Sequence, residues 1–289
     1  MFFDFNIPYP KQADHAAIDR LEKILTRISQ SKSTNASRVY QRIRSLTTRL
    51  SVPRAIVALN HTVGSIKDAQ EFNQVNPARF STVKQLKRLT VVVEDPKKNY
   101  QLVTTNPLYQ TMDILAVQPT NIDVCKHACQ SYDVDLISMD LSQKGVSPGY
   151  ASTKVALNRG VFFEICYTQA FRDPSRRAVF FSNVKRLVDI TRGDNLIFSS
   201  GALQALEIKK PSDMRMMGLL FGMTPEQVEA AVGCNYNRLL MKAETRKSTF
   251  NAAIRVEPLA GAKATEGQKR KQDQPNQGKK KKAKIQNTA

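Results

Sequence analysis

Only three histidines and four cysteines, the side chains most often found holding a metal or attacking a substrate, stand in this 289-residue chain. The three histidines, His15, His61 and His127, lie far apart, whereas hydrolytic metal sites draw on several His and carboxylates together. Cys125 and Cys129 stand at i, i+4 spacing and could present two thiolates from one helix face, but no second pair completes a finger-like set. Their plainer reading, shared by Cys166 and Cys234, is reduced thiols serving as small core hydrophobes. Glu164 sits inside an apolar run and calls for a polar interior site, a partner or a buried cation, because an unpaired buried carboxylate is costly. No metal and no cofactor is expected.

Cations offer more. Arg172, Arg176 and Arg177 fall in the run Arg172-Asp173-Pro174-Ser175-Arg176-Arg177, directly after an apolar strand-like segment. Guanidinium forks suit phosphate oxygens; the competing reading is a surface ion pair with Asp173. Arg159, in Asn158-Arg159-Gly160, either stands at a barrel rim where a phosphate approaches or belongs to a helix end that Gly160 caps. Ser199-Ser200-Gly201-Ala202 either cradles an anion with its amides or only turns the chain. Arg246 and Lys247 form a further basic edge, or a frayed helix end, near the close of the patterned sequence.

With 44 Lys and Arg against 25 Asp and Glu, the chain carries a formal charge of +19, which favours a polyanionic partner through phosphate contacts and counterion release. From about residue 260 apolar residues thin out and nine basic residues meet two acids, so residues 260–289 are expected to be a disordered basic tail. Its excess of seven leaves twelve positive charges on the body. Lys279, Lys280, Lys281, Lys282 and Lys284, with Lys269-Arg270-Lys271 upstream, resemble a bipartite nuclear signal. An acid at Asp4 and the lack of an apolar run near 18 residues argue against secretion and membrane insertion.

The elements that must position these groups alternate. Short apolar runs at 2–7, 55–59, 89–93, 114–117, 136–139, 161–166 and 196–198 predict about seven strands. Between them, Ile18, Leu21, Leu25 and Ile28, and later Val179, Val184, Leu187 and Val188, keep helical spacing. Thr224-Pro225-Glu226-Gln227 is a helix start with a cap and a reach-back glutamine, and its helix is expected to end near Val232. Repeated βα units point to an α/β protein with a parallel sheet, closed as a barrel or left open and doubly wound. Residues 31–51, with Arg38, Arg42, Arg44 and Arg49, either extend the first helix or form a basic insertion.

Together Phe3-Asp4-Phe5-Asn6, Ala58-Leu59-Asn60-His61, Arg88-Leu89-Thr90-Val91-Val92-Val93-Glu94-Asp95-Pro96, Asp133-Val134-Asp135-Leu136, Asn158-Arg159-Gly160, Ser199-Ser200-Gly201-Ala202, Gly218-Leu219-Leu220-Phe221-Gly222 and Glu244-Thr245-Arg246-Lys247 resemble the thirty-kilodalton-class protein subunits of ribonuclease P and ribonuclease MRP. The resemblance spans about residues 1–250. It implies a TIM-barrel-like fold related to the polymerase-and-histidinol-phosphatase hydrolases, with catalysis by RNA rather than by this chain. It also implies as partners the catalytic RNA, precursor tRNA and a small RNA-binding protein subunit, in a nuclear, nucleolar particle that trims tRNA 5′ leaders and processes precursor rRNA. Those hydrolases open with Asp followed by two alternating His; here Asn6 and Pro8 stand at the ligand positions, and proline has no side-chain donor.

On this reading Arg159, Arg172, Arg176, Arg177, Arg246 and Lys247 contact RNA backbone or partner proteins. Two other classes compete. A metal-dependent phosphoesterase would use Asp4, His61, Asp95 and Glu164. A protein-only scaffold would assemble independently of salt.

Overall fold

Each of the seven apolar runs folds as a strand, and the strands lie side by side in chain order. The computed structural model describes residues 1–10, 14–30, 53–69, 72–95, 97, 102, 111–250 and 254–255. All of them lie within one compact unit, Met1–Val256. The basic stretch at 31–51, the tail at 260–289 and its lysines fall outside the described residues. Strands β1 (Phe2–Pro8), β2 (Ala55–Val63), β3 (Val83–Val93), β4 (Ile114–Pro119), β5 (Leu136–Ser138), β6 (Phe162–Cys166) and β7 (Leu196–Ser199) each pair parallel with the next. Parallel neighbours need a crossover between them.

Four of the six crossovers carry described helices whose apolar stripes cover the sheet. Helix α1 (His15–Gln30) buries Leu21, Ile24, Leu25 and Ile28. Asn121 caps α2 (Ile122–Gln130) by accepting from the Val124 amide at 2.9 Å. After β5 come α3 (Tyr150–Asn158), the short α4 (Gln169–Arg172) and α5 (Arg177–Thr191), which buries Phe180, Val184, Leu187 and Val188. Then follow α6 (Pro211–Leu220), α7 (Pro225–Glu229) and α8 (Asn235–Ser248).

The expected cap at Thr224 forms: its hydroxyl accepts from the Gln227 amide at 3.3 Å and Gln227 reaches back to the Thr224 amide at 2.8 Å. The helix does not end near Val232. It passes through a π turn, Ala230–Cys234, and continues as α8. A π turn shifts the phase of everything beyond it. Here it leaves Cys234 exposed, contrary to its expected core position, while Cys125, Cys129 and Cys166 are buried as expected. It delivers Asn235 and Tyr236 to the barrel instead: Asn235 Nδ2 donates to the Leu196 carbonyl at 2.8 Å and the Tyr236 hydroxyl donates to the Phe198 carbonyl.

Two apolar cores result. One lies between sheet and helices. The other fills the barrel interior with Phe3, Phe5, Ile56, Ala58, Leu86, Ile114, Ala116, Leu136, Phe162 and Ile197, and receives Tyr236 and Leu239 of α8 as a stopper. Tyr236 stacks on Phe3 at 4.8 Å and meets Phe5 edge-on at 4.9 Å.

Closure happens at a seam. Among the described residues β1 and β7 share no ladder. They meet where the Gly201 amide donates to the Asn6 carbonyl at 2.8 Å and the Ser200 amide donates to Asp4 Oδ1 at 3.1 Å. No described helix is long and apolar enough to cross a membrane.

Candidate functional site

Inward-facing positions alternate along a strand, and in this barrel they change character toward the strand ends. Ile56 and Ala58 are followed by Asn60, Leu86 by Arg88 and Thr90, Leu136 by Ser138, Phe162 by Glu164, and Ile197 by Ser199. The apolar floor, closed by α8, thus carries a polar layer above it. That layer is a ring of hydrogen bonds. The Thr90 hydroxyl donates to Asn60 Oδ1 at 2.7 Å, Asn60 Nδ2 donates to Asn6 Oδ1 at 2.8 Å, and Asn6 Nδ2 donates to Glu164 Oε2 at 3.3 Å.

Arg88 completes it. Its Nη1 and Nη2 reach the two Glu164 oxygens at 2.6 and 2.8 Å, its Nε reaches Thr90 Oγ1 at 3.1 Å, and Nη1 also donates to the Phe5 carbonyl at 2.7 Å. Both side chains are 0% exposed. Burial alone drives the Glu164 carboxyl up, but the charge and paired hydrogen bonds of Arg88 outweigh it and hold the group below its ordinary value. Arg88 is the buried cation that Glu164 required.

A hydrolytic metal set does not fit this interior. Asn6 and Pro8 stand at the ligand positions, Glu164 is committed to Arg88, and among the described residues no group of three or more His, Cys, Asp or Glu gathers. His61 lies against Phe72 with ring centroids 5.8 Å apart, and Asp95 accepts from the Lys97 amide at 2.9 Å. Asp4 and Glu164 are neighbours across Asn6, but His61 and Asp95 do not join them in a set of three or more among the described residues.

The six expected RNA or partner contacts separate into two groups. Arg172, Arg176 and Arg177 lie where β6 gives way to helix, at the end of the barrel bearing the polar layer. Arg172 donates to the Gly201 carbonyl, Arg177 Nε donates to the Ala170 carbonyl at 3.1 Å, and Arg176 pairs with Asp173 at 3.2 Å while its side chain stays 54% exposed. The anticipated Asp173 ion pair therefore forms, through one of the three. Arg159, Arg246 and Lys247 lie at the opposite end. Arg159 donates to the carbonyls of Cys129 at 3.0 Å and Tyr132 at 2.6 Å and pairs with Asp133 at 3.3 Å. Gly160, at φ +69°, ends α3 as a left-handed cap, the structural alternative for that segment.

Arg246 is bound to Asp135 at 3.2 Å and Lys247 to Asp113 at 2.9 Å. The two aspartates in turn accept from strand amides, Asp135 from Leu115 near the start of β4 and Asp113 from Lys87 in the middle of β3. Close by, Lys242 donates to the Val134 carbonyl at 3.0 Å, and burial pulls its ammonium down to about 8. Helix α8 is thereby nailed across the floor of the barrel, and the Glu244–Ser248 segment is ordered helix rather than a frayed end.

The Ser199–Ala202 loop is no anion cradle. Its amides at Ser200, Gly201 and Ala202 are taken by Asp4, by the Asn6 carbonyl and by Ser200 Oγ. Gly201 is required there, because at φ +60° a Cβ would come within 2.5 Å of Cys166 Sγ. Asp4, fully enclosed at this seam, has its carboxyl pushed up to about 6 by desolvation, against hydrogen bonds from Ser200 and Asn6. Sequence reasoning missed Arg88, Asp113, Asp135 and Tyr236. The signal for Arg88 was indirect: Glu164 inside an apolar strand requires a buried cation, and Arg88 borders the apolar run at 89–93.

The family model described as "RNase P subunit p30" matches residues 1–248. The chain is 33% identical over 211 residues to mouse ribonuclease P protein subunit p30, covering 68% of this chain and 78% of the mouse protein. It is 37% identical over 183 residues to the Arabidopsis protein GAMETOPHYTE DEFECTIVE 1, covering 63% of this chain and 32% of that one, so it spans about a third of that relative's length. Its fold is similar to a chain in the cryo-EM structure of archaeal ribonuclease P with mature tRNA, with a TM-score of 0.58 at 14% identity over 90% of this chain and 100% of that one.

Proposed function

The chain belongs to the RNase P subunit p30 family, and on that premise we propose that it is a non-catalytic protein subunit of nuclear ribonuclease P and ribonuclease MRP. In this reading it binds RNA backbone and neighbouring subunits in a particle whose RNA removes 5′ leaders from precursor tRNA and processes precursor rRNA. The family match over residues 1–248 carries the reading. The polar layer supports its non-catalytic half: Arg88 engages Glu164 at the centre of the barrel, and no metal-ligand set gathers among the described residues. Such a barrel is a scaffold whose rim, not its interior, meets partners.

RNA contact is assigned first to Arg172, Arg176 and Arg177, which sit on a loop beyond a strand end, where barrels carry function. Arg159, Arg246 and Lys247 would share any phosphate with Asp133, Asp135 and Asp113, which already hold their charge. Their main work on this reading is closure of the barrel floor, with RNA or partner contact secondary. The precursor tRNA and a small RNA-binding subunit are the further partners; the nucleus, and within it the nucleolus, is the proposed compartment, with the lysines at 279–282 and 284 as the nuclear signal.

The test is recovery of the tagged full chain from nuclear extract, sequencing of the RNA that comes with it and an assay for leader removal. One or two structured RNAs with leader-cleaving activity are expected. A clean protein with metal-dependent phosphatase activity and no RNA would reverse the assignment.

A further inference from the structure

Phe171 stands on α4, and its ring is 51% exposed at the polar end of the barrel. A single exposed phenylalanine is ordinary; its surroundings are not. Lys209 Nζ lies over the ring, 5.4 Å from its centroid, within the range of a cation–π contact. The backbone carrying the ring is braced on both sides, since Arg177 Nε holds the Ala170 carbonyl and Arg172 is bonded to Gly201 on the neighbouring loop. Arg176 follows within two turns of chain. Asp173 is the one acid between residues 169 and 177, and its carboxylate is occupied by the Ser175 amide at 2.9 Å, the Ser175 hydroxyl at 2.7 Å and Arg176.

An exposed ring with Lys209 over it and three arginines within six residues of it along the chain offers the two parts a single-stranded nucleotide needs: a π face to stack and charge to neutralise phosphates. A duplex has no use for the ring, because its bases are already stacked on each other and the deep groove of an A-form helix excludes side chains. Phenylalanine and arginine are also common where proteins dock, though lysine is depleted there, so a protein contact is one outcome the test must separate.

We propose that Phe171 is a stacking platform for an unpaired nucleobase of RNA, with Arg172, Arg176, Arg177 and Lys209 holding the flanking phosphates. The inference rests on the RNA-binding reading above and narrows it to single-stranded segments, meaning loops, bulges or ends. Stacking of this kind tolerates any base, so the platform selects for unpairedness rather than for sequence.

The test uses the full-length protein with two probes, a short single-stranded RNA carrying 2-aminopurine and a blunt RNA duplex of equal charge. Binding of wild type to the single strand should quench the 2-aminopurine. F171A should weaken single-strand binding about tenfold, within the roughly 5- to 100-fold range that loss of one stacked base gives. It should abolish the quench and leave duplex affinity unchanged, while F171W should retain both. Melting temperatures of the variants, whose altered ring is exposed, control for folding. If F171A binds and quenches like wild type while R176A/R177A weakens both probes, the platform is overturned and RNA binding stands. If wild type binds neither probe, the RNA-binding reading falls with it. If F171A leaves RNA affinity intact but loses co-purifying protein subunits, the ring is a protein contact and the proposal is wrong.

Discussion

Arg88 and Glu164 meet fork to fork in the middle of the barrel, at 2.6 and 2.8 Å, from strands 76 residues apart in sequence and with neither side chain reached by solvent. A pair this deep contributes little net stability if both members are replaced together, yet removing one strands a charge. Arg88→Met or Glu164→Leu alone should therefore destabilise the protein by about 3–5 kcal/mol, and the double change Arg88→Met with Glu164→Leu should recover most of that loss. Urea denaturation of the two singles and the double closes the cycle. Additive losses would mean that the two side chains are not coupled.

The seam makes stability depend on pH in an unusual direction. Asp4 rises from 3.8 to about 6 on folding, so between those values the folded chain keeps a proton that the unfolded chain has released. Its stabilising contribution is complete below about pH 4 and is lost as pH climbs through 6, by roughly 3 kcal/mol in all. Glu164, Ser200 and Asn6 are the groups acting on it. Asp4→Asn should flatten that loss. Denaturation midpoints of both proteins at pH 4, 5, 6 and 7 give the difference curve, and parallel profiles would remove Asp4 as its source.

At the barrel floor, Arg246 is 8% exposed and its partner Asp135 not at all. Arg246→Ala leaves a buried carboxylate without its guanidinium and should cost about 3–5 kcal/mol. Amides of residues 235–248 should exchange faster by mass spectrometry, with RNA affinity nearly kept under conditions where the variant is folded. A large affinity loss at unchanged exchange would instead make Arg246 a nucleic-acid contact.

For the loop at the other end, replacing Arg172, Arg176 and Arg177 together by Ala should lower RNA affinity and flatten the slope of log K against log salt by about 2 to 3. The loss should be similar for unrelated sequences, because these groups neutralise backbone charge. An unchanged slope would move the RNA to another face.

Sequence made the strands plain because each is a short apolar run, buried on both faces, and the β-branched Val91–Val93 stops ahead of Pro96. It concealed where β3 begins. Lys84 and Lys87 gave the segment before Leu89 a polar look, so Arg88 stood outside the predicted strand, and only the register with β2 places it beside Asn60. The six cations were equally easy to see and hard to sort. Nothing local to Arg246 tells of Asp135, 111 residues earlier, and it is that carboxylate which turns a basic edge into a structural tie. The helix from Thr224 was started correctly by its cap chemistry but ended too early, because a π turn depends on what the next residues must reach.

Helix α8 also sets a timetable. Phe3 and Phe5 leave the ribosome some 230 residues ahead of Tyr236, against which they pack. At about 5–20 residues per second, roughly 10 to 50 s pass before the stopper exists. During that interval the nascent strands lack the stopper of their apolar bore, so this protein's demand for chaperones is concentrated in the time before α8 is made.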